Sequence, residues 1–296
     1  MERFSGAVNV VHNYLLTRYG IDVLHAVLRH KLGKTTESAF RSEVAGKNVK
    51  WGGEAMKRIA NRLRMRFVAT YPEFLGEDRS SRYIIVPNHV SMMDVYAICA
   101  YMGQISHTNL RWIMAAHVRK FPFIGKGAEL QGSAFVSRKG RPEDRAALER
   151  CARVVLEDDA DVVIFPEGKR CSRERVKSFS SPYRHLLPPR RNGLKILKEC
   201  LPDHKLLSVT IAHVDSSLAP DGVLGQKDFF GCTFAVNASV HDVQVSEIDD
   251  WLDAEWLKKD AELEEFYGST SDIDLPQRLC SRNRVIRPNL DAAFYQ

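Results

Sequence analysis

Apolar residues recur at helical spacing through the first 34 positions. Val8, Val11, Leu15 and Leu16 form one stripe, and Ile21, Leu24, Val27 and Leu28 form another after Gly20. Arg18, Arg29, Lys31 and Lys34 flank them. Such a segment either packs as a helical hairpin on a larger domain or lies on a membrane surface. A second, basic helix is predicted from Gly53 to Phe67, carrying Lys57, Arg58, Arg62, Arg64 and Arg66. It reads as a solvated face or as a headgroup contact.

Beyond it the pattern alternates between short apolar runs and amphipathic stretches. Strands are predicted at Arg82–Val86, ended by Pro87, at Ala134–Ser137, at Val162–Phe165, ended by Pro166, at Leu206–Val214 and at Cys232–Val240. Between them, helices are predicted at Val90–Tyr101, Pro142–Glu157 and Gly193–Cys200. A further helix follows from Glu247 to Tyr267, with Ser246 and Asp249 as a capping box and Gly268 as its stop. This alternation argues for an α/β fold built on a largely parallel sheet. The domain organisation follows: an N-terminal helical module over 1–70, an α/β domain over 71–268 and a polar tail over 269–296.

Composition narrows this picture little. A surplus of 43 Lys and Arg over 37 Asp and Glu, net +6, favours an anionic partner without choosing among nucleic acid, membrane and phosphorylated substrate. No stacking motif or nucleic-acid fold supports the first. The six cysteines make no C-x-x-C pair and no zinc pattern, so they read as reduced thiols facing the cytosol. No run of 18 uncharged apolar residues and no secretory signal is evident, so membrane contact is expected to be peripheral.

The chemistry lies where the apolar runs end. Asn88-His89-Val90-Ser91-Met92-Met93-Asp94 follows a strand directly. A regular helix through both would set His89 and Asp94 about 140° apart. They meet only if His89 lies in the turn before the helix, which Pro87 and a capping Asn88 or Ser91 permit. The carboxylate then fixes the imidazole tautomer and leaves the other nitrogen as a general base. Phe165-Pro166-Glu167-Gly168-Lys169-Arg170 again follows a strand stopped by proline. If the two strands are parallel, both ends open onto one crevice. Gly168 permits a tight turn, and Lys169 and Arg170 suit a phosphate. Gly132-Ser133-Ala134-Phe135-Val136-Ser137-Arg138 delivers Arg138 near a strand end, where a guanidinium fork also suits a phosphate.

Taken together, NHVSMMD, GSAFVSR and FPEGKR resemble the ordered motifs of the glycerolipid acyltransferase family, the PlsC-like or 1-acyl-glycerol-3-phosphate acyltransferase superfamily. The matched span runs from about Tyr83 to Arg170. Leu187-Pro188-Pro189-Arg190-Arg191-Asn192-Gly193 and the stretch from Trp256 to Tyr267 resemble the eukaryotic lysophospholipid acyltransferase branch.

The resemblance implies a mixed sheet flanked by helices after a short helical module. It implies transfer of a fatty acyl group from acyl-CoA to the free hydroxyl of a lysophospholipid, or of glycerol-3-phosphate, with no metal and no cofactor beyond the acyl-CoA co-substrate. His89 would take the proton and Asp94 would orient it. Asn88, Gly132, Phe135, Arg138, Glu167, Gly168 and Arg170 would shape the acceptor site, with Arg138 on its phosphate, and Pro189 would lie near the acyl chain. It also implies a membrane-associated enzyme on the cytosolic face of the endoplasmic reticulum or another organelle. A non-catalytic membrane-binding protein on the same scaffold is the competing expectation. Two departures stand out: many members carry membrane-spanning helices, and Cys171 occupies a position where the family often has Ser.

Overall fold

The apolar runs at YIIV and LLSVTIA pack on both sides, as strands at the centre of an α/β sheet must. In the computed structural model, which describes residues 2–72, 80–214, 229, 231–268 and 284–286, they become β2 (Tyr83–Pro87) and β6 (Lys205–Val214). The other strands are β1 (Arg66–Tyr71), β3 (Leu110–Ala115), β4 (Ala134–Val136), β5 (Asp161–Val163), β7 (Thr233–His241) and β8 (Arg284–Ile286). They form one sheet in the order β4-β3-β5-β2-β6-β7-β1-β8. From β4 to β6 every pairing is parallel, β6–β7 is antiparallel, β7–β1 parallel and β1–β8 antiparallel. The fold is therefore a mixed, largely parallel α/β sheet with helices on both faces, as expected.

Alternation along each strand divides the core. Tyr83 and Ile85 join Leu207, Val209 and Ile211 under the N-terminal helices and α3 (Met93–Gln104). Ile84 and Val86 join Leu206 and Ala212 on the face covered by α5 (Pro142–Glu157), α7 (Arg191–Cys200) and α8 (Ile248–Gly268). The short helices α4 (Ile124–Leu130) and α6 (Arg173–Ser178) complete the set.

The N-terminal region departs most from expectation. α1 (Glu2–Lys31) is one helix that runs through Gly20, and α2 (Glu37–Leu63) starts well before Gly53. Thr36 caps α2 by accepting from Ala39 N–H, and Arg64 closes it in the left-handed conformation at φ 53°. The expected helix to Phe67 therefore stops at Leu63, and Arg66–Tyr71 extends as β1 beside β7. β1 also crosses the expected boundary at residue 70, so α2 and β1 share the core of the α/β domain. The start of α2 is masked in the sequence by its glycines. Gly52 has a packing reason: a Cβ there would lie 2.6 Å from Cys99 Sγ, so α2 and α3 meet almost backbone to side chain.

The first helix packs one face on the domain and keeps apolar side chains exposed on another. Tyr19, Val23 and Ala26 are buried in the core, whereas Ile21, Leu24 and Leu28 are exposed. The side chains of Val8, Val11 and Leu15 lie outside the described residues. No helix among the described residues is long and apolar enough to cross a membrane. The capping box before α8 is formed by Gln244 and Glu247, two residues earlier than the expected Ser246 and Asp249, because a 3-10 turn over 245–247 leads into the helix. Of the tail, only β8 lies within the described residues.

Candidate active site

β2 and β5 are parallel neighbours, so the residues after Pro87 and after Val163 emerge at the same edge of the sheet. Asn88 continues the ladder where strand geometry ends. Its amide nitrogen donates to Ile211 O at 2.9 Å and its oxygen accepts from Ile211 N–H at 2.7 Å. Asn88 is fully buried with its amide held by this backbone, so it positions the turn and is not among the residues lining the cavity described below.

His89 then sits in the turn before α3, the geometry that its spacing from Asp94 demands. Its Nδ1 lies 3.0 Å from Asp94 Oδ2, which also accepts from the N–H groups of Val90 at 2.6 Å and Ser91 at 2.8 Å. The other carboxylate oxygen accepts from Ser91 Oγ at 3.3 Å and faces His213 Nε2 at 3.1 Å. Burial alone would raise the Asp94 pKa, but hydrogen bonds from His213 and His89 outweigh it and hold the carboxyl well below the usual range. An ionised Asp94 makes His89 Nδ1 the protonated nitrogen and leaves Nε2 as the acceptor. The imidazole packs on Phe165 at 4.3 Å between ring centroids and keeps 16% of its side chain exposed.

Glu167 braces this turn from beneath. One of its oxygens accepts from His89 N–H at 2.7 Å and the other from Leu187 N–H at 2.9 Å. Burial pushes its pKa up to about 8. Nearby, fully buried Lys259 donates to the carbonyls of Val86 at 2.8 Å and Val209 at 2.6 Å, and burial lowers its pKa to about 8. Between them Glu167 and Lys259 tie the end of β2 and the middle of β6 to the FPEG turn and α8.

A cavity of about 1420 Å³ opens in front of His89. One wall is apolar, with Met92, Val95, Trp112, Met114, Phe121 and Ile124. The other is cationic, with Arg138, Arg170, Arg175 and Arg190. Arg138, itself at φ 63°, donates to Gly168 O, and Gly168 needs its own positive φ of 67° to present that carbonyl. A hydroxyl in this cavity can reach a base, and a phosphate can reach guanidinium forks.

A family model described as Acyltransferase matches residues 54–211, more than half of the chain. The chain belongs to the acyltransferase family.

A lyso-ornithine lipid O-acyltransferase from Brucella abortus (strain 2308) is 32% identical to this acyltransferase over 98 residues. That stretch is 33% of this chain and 34% of the relative, so the match spans about a third of the relative's length. The crystal structure of the 1-acyl-sn-glycerophosphate (LPA) acyltransferase PlsC from Thermotoga maritima has the same fold. It superposes with a TM-score of 0.53 at 17% identity, covering 88% of this chain and all of that one.

In this acyltransferase the residues expected from sequence divide into two groups. His89, Arg138, Gly168, Arg170 and Pro189 line the cavity. Asp94 stands behind His89, and Glu167 is 3% exposed with both oxygens on backbone N–H groups, so it holds the site without lining it. Gly132 and Phe135 also stay off the cavity wall. Gly132 turns at φ 84° against Val154, and the Phe135 ring carries the Arg119 guanidinium at 4.8 Å. Sequence reasoning missed His213 and Lys259. A lone histidine in the apolar run of β6 and a lysine on the buried face of α8 were the available signals, and neither announces its partner.

Proposed function

We propose that this acyltransferase moves a fatty acyl group from acyl-CoA to the free hydroxyl of a lysophospholipid, with 1-acyl-glycerol-3-phosphate as the acceptor favoured among them, in phospholipid synthesis or remodelling. The observation that carries the reading is His89 lining a cavity with apolar and cationic walls while its Nδ1 is engaged by Asp94, which leaves Nε2 as the free ring nitrogen. The acceptor hydroxyl gives its proton to Nε2 as its oxygen bonds to the thioester carbonyl carbon. Asp94 stabilises the imidazolium. Collapse of the tetrahedral intermediate breaks the carbon–sulfur bond, and the imidazolium returns the proton to the departing thiolate. Arg138 and Arg170 hold the acceptor phosphate, and the apolar wall takes acyl chain.

The test is thiol release from oleoyl-CoA against a panel of lysophospholipids and glycerol-3-phosphate. Release with one acceptor names the substrate. No release with any acceptor, from folded protein in lipid, counts against the enzyme and for a non-catalytic membrane protein.

His213 acts as a positioning residue in this scheme, since it faces Asp94 and not the cavity. His213→Leu is expected to lower kcat about tenfold, the loss of roughly one buried hydrogen bond to a charged group, with KM unchanged. His213→Gln, which retains a donor, recovers part of it. Equal kcat in all three proteins rules the role out.

An exposed apolar stripe, Tyr14, Ile21, Leu24 and Leu28 of α1, extended by Phe121 and Phe123, favours membrane contact through this face. The Phe123 ring packs where a Cβ on Gly20 would be, at 2.6 Å, so the two apolar surfaces are continuous, and Phe121 also lines the cavity. This supports peripheral binding to a membrane surface, which we propose to be the cytosolic face of an organelle membrane such as the endoplasmic reticulum. Flotation with anionic liposomes is expected to retain the wild type, and Leu24→Glu with Leu28→Glu is expected to weaken binding by about tenfold or more. Flotation of the double variant at the wild-type level removes α1 as the anchor.

A further inference from the structure

Four guanidinium groups gather at the cationic wall, and one acceptor phosphate accounts for two of them. Arg138 donates to Gly168 O, and Arg190 Nη1 donates to Arg138 O at 2.8 Å. The Arg190 stem crosses Gly168 so closely that a Cβ there would touch its Cδ and Nε at 3.4 Å. Arg175 Nη1 donates to Arg170 O at 2.7 Å. Arg170 Nη1 is buried with no hydrogen-bond partner. Each chain contact is to a neutral carbonyl, and among the described residues no carboxylate lies within ion-pair distance of any of the four.

Elsewhere on the same rim the cations are neutralised: Arg145 by Glu149 and Glu199, and Lys195 by Asp249. The uncompensated charge centres on these four interlocked guanidinium groups, with Arg141 and Lys169, the latter over the Phe179 ring, as further cations on the cavity lining. Four like charges packed together repel one another unless an anion joins them. A phosphomonoester brings about −1.5 to −2, which leaves roughly two positive charges unmatched.

We propose that Arg175 and Arg190 form a second anion subsite, next to the Arg138 and Arg170 phosphate site, which takes a diphosphate or a second phosphomonoester carried by one of the two substrates. Two sources offer that chemistry: the nucleotide end of the acyl-CoA donor, or an acceptor headgroup with two phosphates. The assignment of Arg138 and Arg170 to the first phosphate rests on the acyl-transfer reading above. The existence of a second anion subsite rests on the geometry, and its assignment to a substrate rests on that same reading.

Calorimetric titration of the full chain with inorganic pyrophosphate, desulfo-CoA and glycerol-3-phosphate tests it directly. Arg175→Gln with Arg190→Gln is expected to weaken pyrophosphate binding by about tenfold or more, the loss of two charge-assisted contacts. Glycerol-3-phosphate binding stays within about twofold, and Arg175→Lys with Arg190→Lys, which keeps charge but not the forks, falls between. Unchanged pyrophosphate affinity overturns the subsite. Parallel loss of glycerol-3-phosphate binding overturns it too, since it would mean a single shared phosphate site.

Kinetics separate the sources. A rise in KM for oleoyl-CoA but not for oleoyl-pantetheine assigns the subsite to the donor, and a rise confined to a doubly phosphorylated acceptor assigns it to the headgroup. A wild type that binds pyrophosphate yet transfers no acyl group would refute the acyl-transfer reading while leaving the subsite standing.

Discussion

Replacing His89 by alanine is expected to lower turnover about 10²- to 10⁴-fold, the usual contribution of a positioned general base, while the fold survives. The backbone of residue 89 carries the structural contacts. Its N–H donates to Glu167 and its carbonyl accepts from Cys171 N–H at 2.6 Å, and alanine keeps both. Asp94 loses one donor but retains Val90, Ser91 and His213. Circular dichroism and thiol release on the same preparation check the two halves of this expectation. Turnover at the wild-type rate would remove His89 from the chemistry.

The second large effect is on stability. Trp256→Ala is expected to cost about 3–5 kcal/mol, the range for truncating a buried aromatic. Trp256 is the largest of the fully buried side chains, and its indole N–H donates to Leu187 O at 3.0 Å. Lys259 lies 5.2 Å from its ring centroid. The cavity left behind sits under the segment that Glu167 grips at Leu187 and that carries Pro189 and Arg190 to the substrate wall. Denaturant unfolding followed by fluorescence of the other tryptophans measures the loss. A change below about 1 kcal/mol would mean that the site collapses and repacks without consequence.

How much of this was legible depends on the reach of each contact. The step from β2 through Pro87 into α3 is local, and the spacing of His89 and Asp94 dictated that the histidine precede the helix. The parallel pairing of β2 with β5, which brings Glu167 beneath His89, was a condition stated in the sequence and met in the fold. What escaped was set by distant partners. β1 looked like the end of a basic helix because Arg62, Arg64 and Arg66 continue one charge run, and only its pairing with β7 makes it a strand. Arg111 interrupts the apolar run of β3, which concealed that strand, yet it is fully buried against Asp158. Asn88 and Glu167 were expected at the acceptor site from the family resemblance. Here backbone groups from Ile211 and Leu187, over 100 and 20 residues away in sequence, occupy them instead.

The clamp between Asn88 and Ile211 also sets the frame in which β6 is read. It grips both the N–H and the carbonyl of one residue, so β2 and β6 can pair only in the register observed. Ile211 and His213 share a face of the strand, and that face carries His213 to Asp94. A slip of one residue would turn His213 to the opposite face and leave Asp94 without it. If His89 is the base, full turnover would therefore report on sheet assembly: a chain that has collapsed with its strands misaligned keeps every sequence motif and still leaves Asp94 without His213.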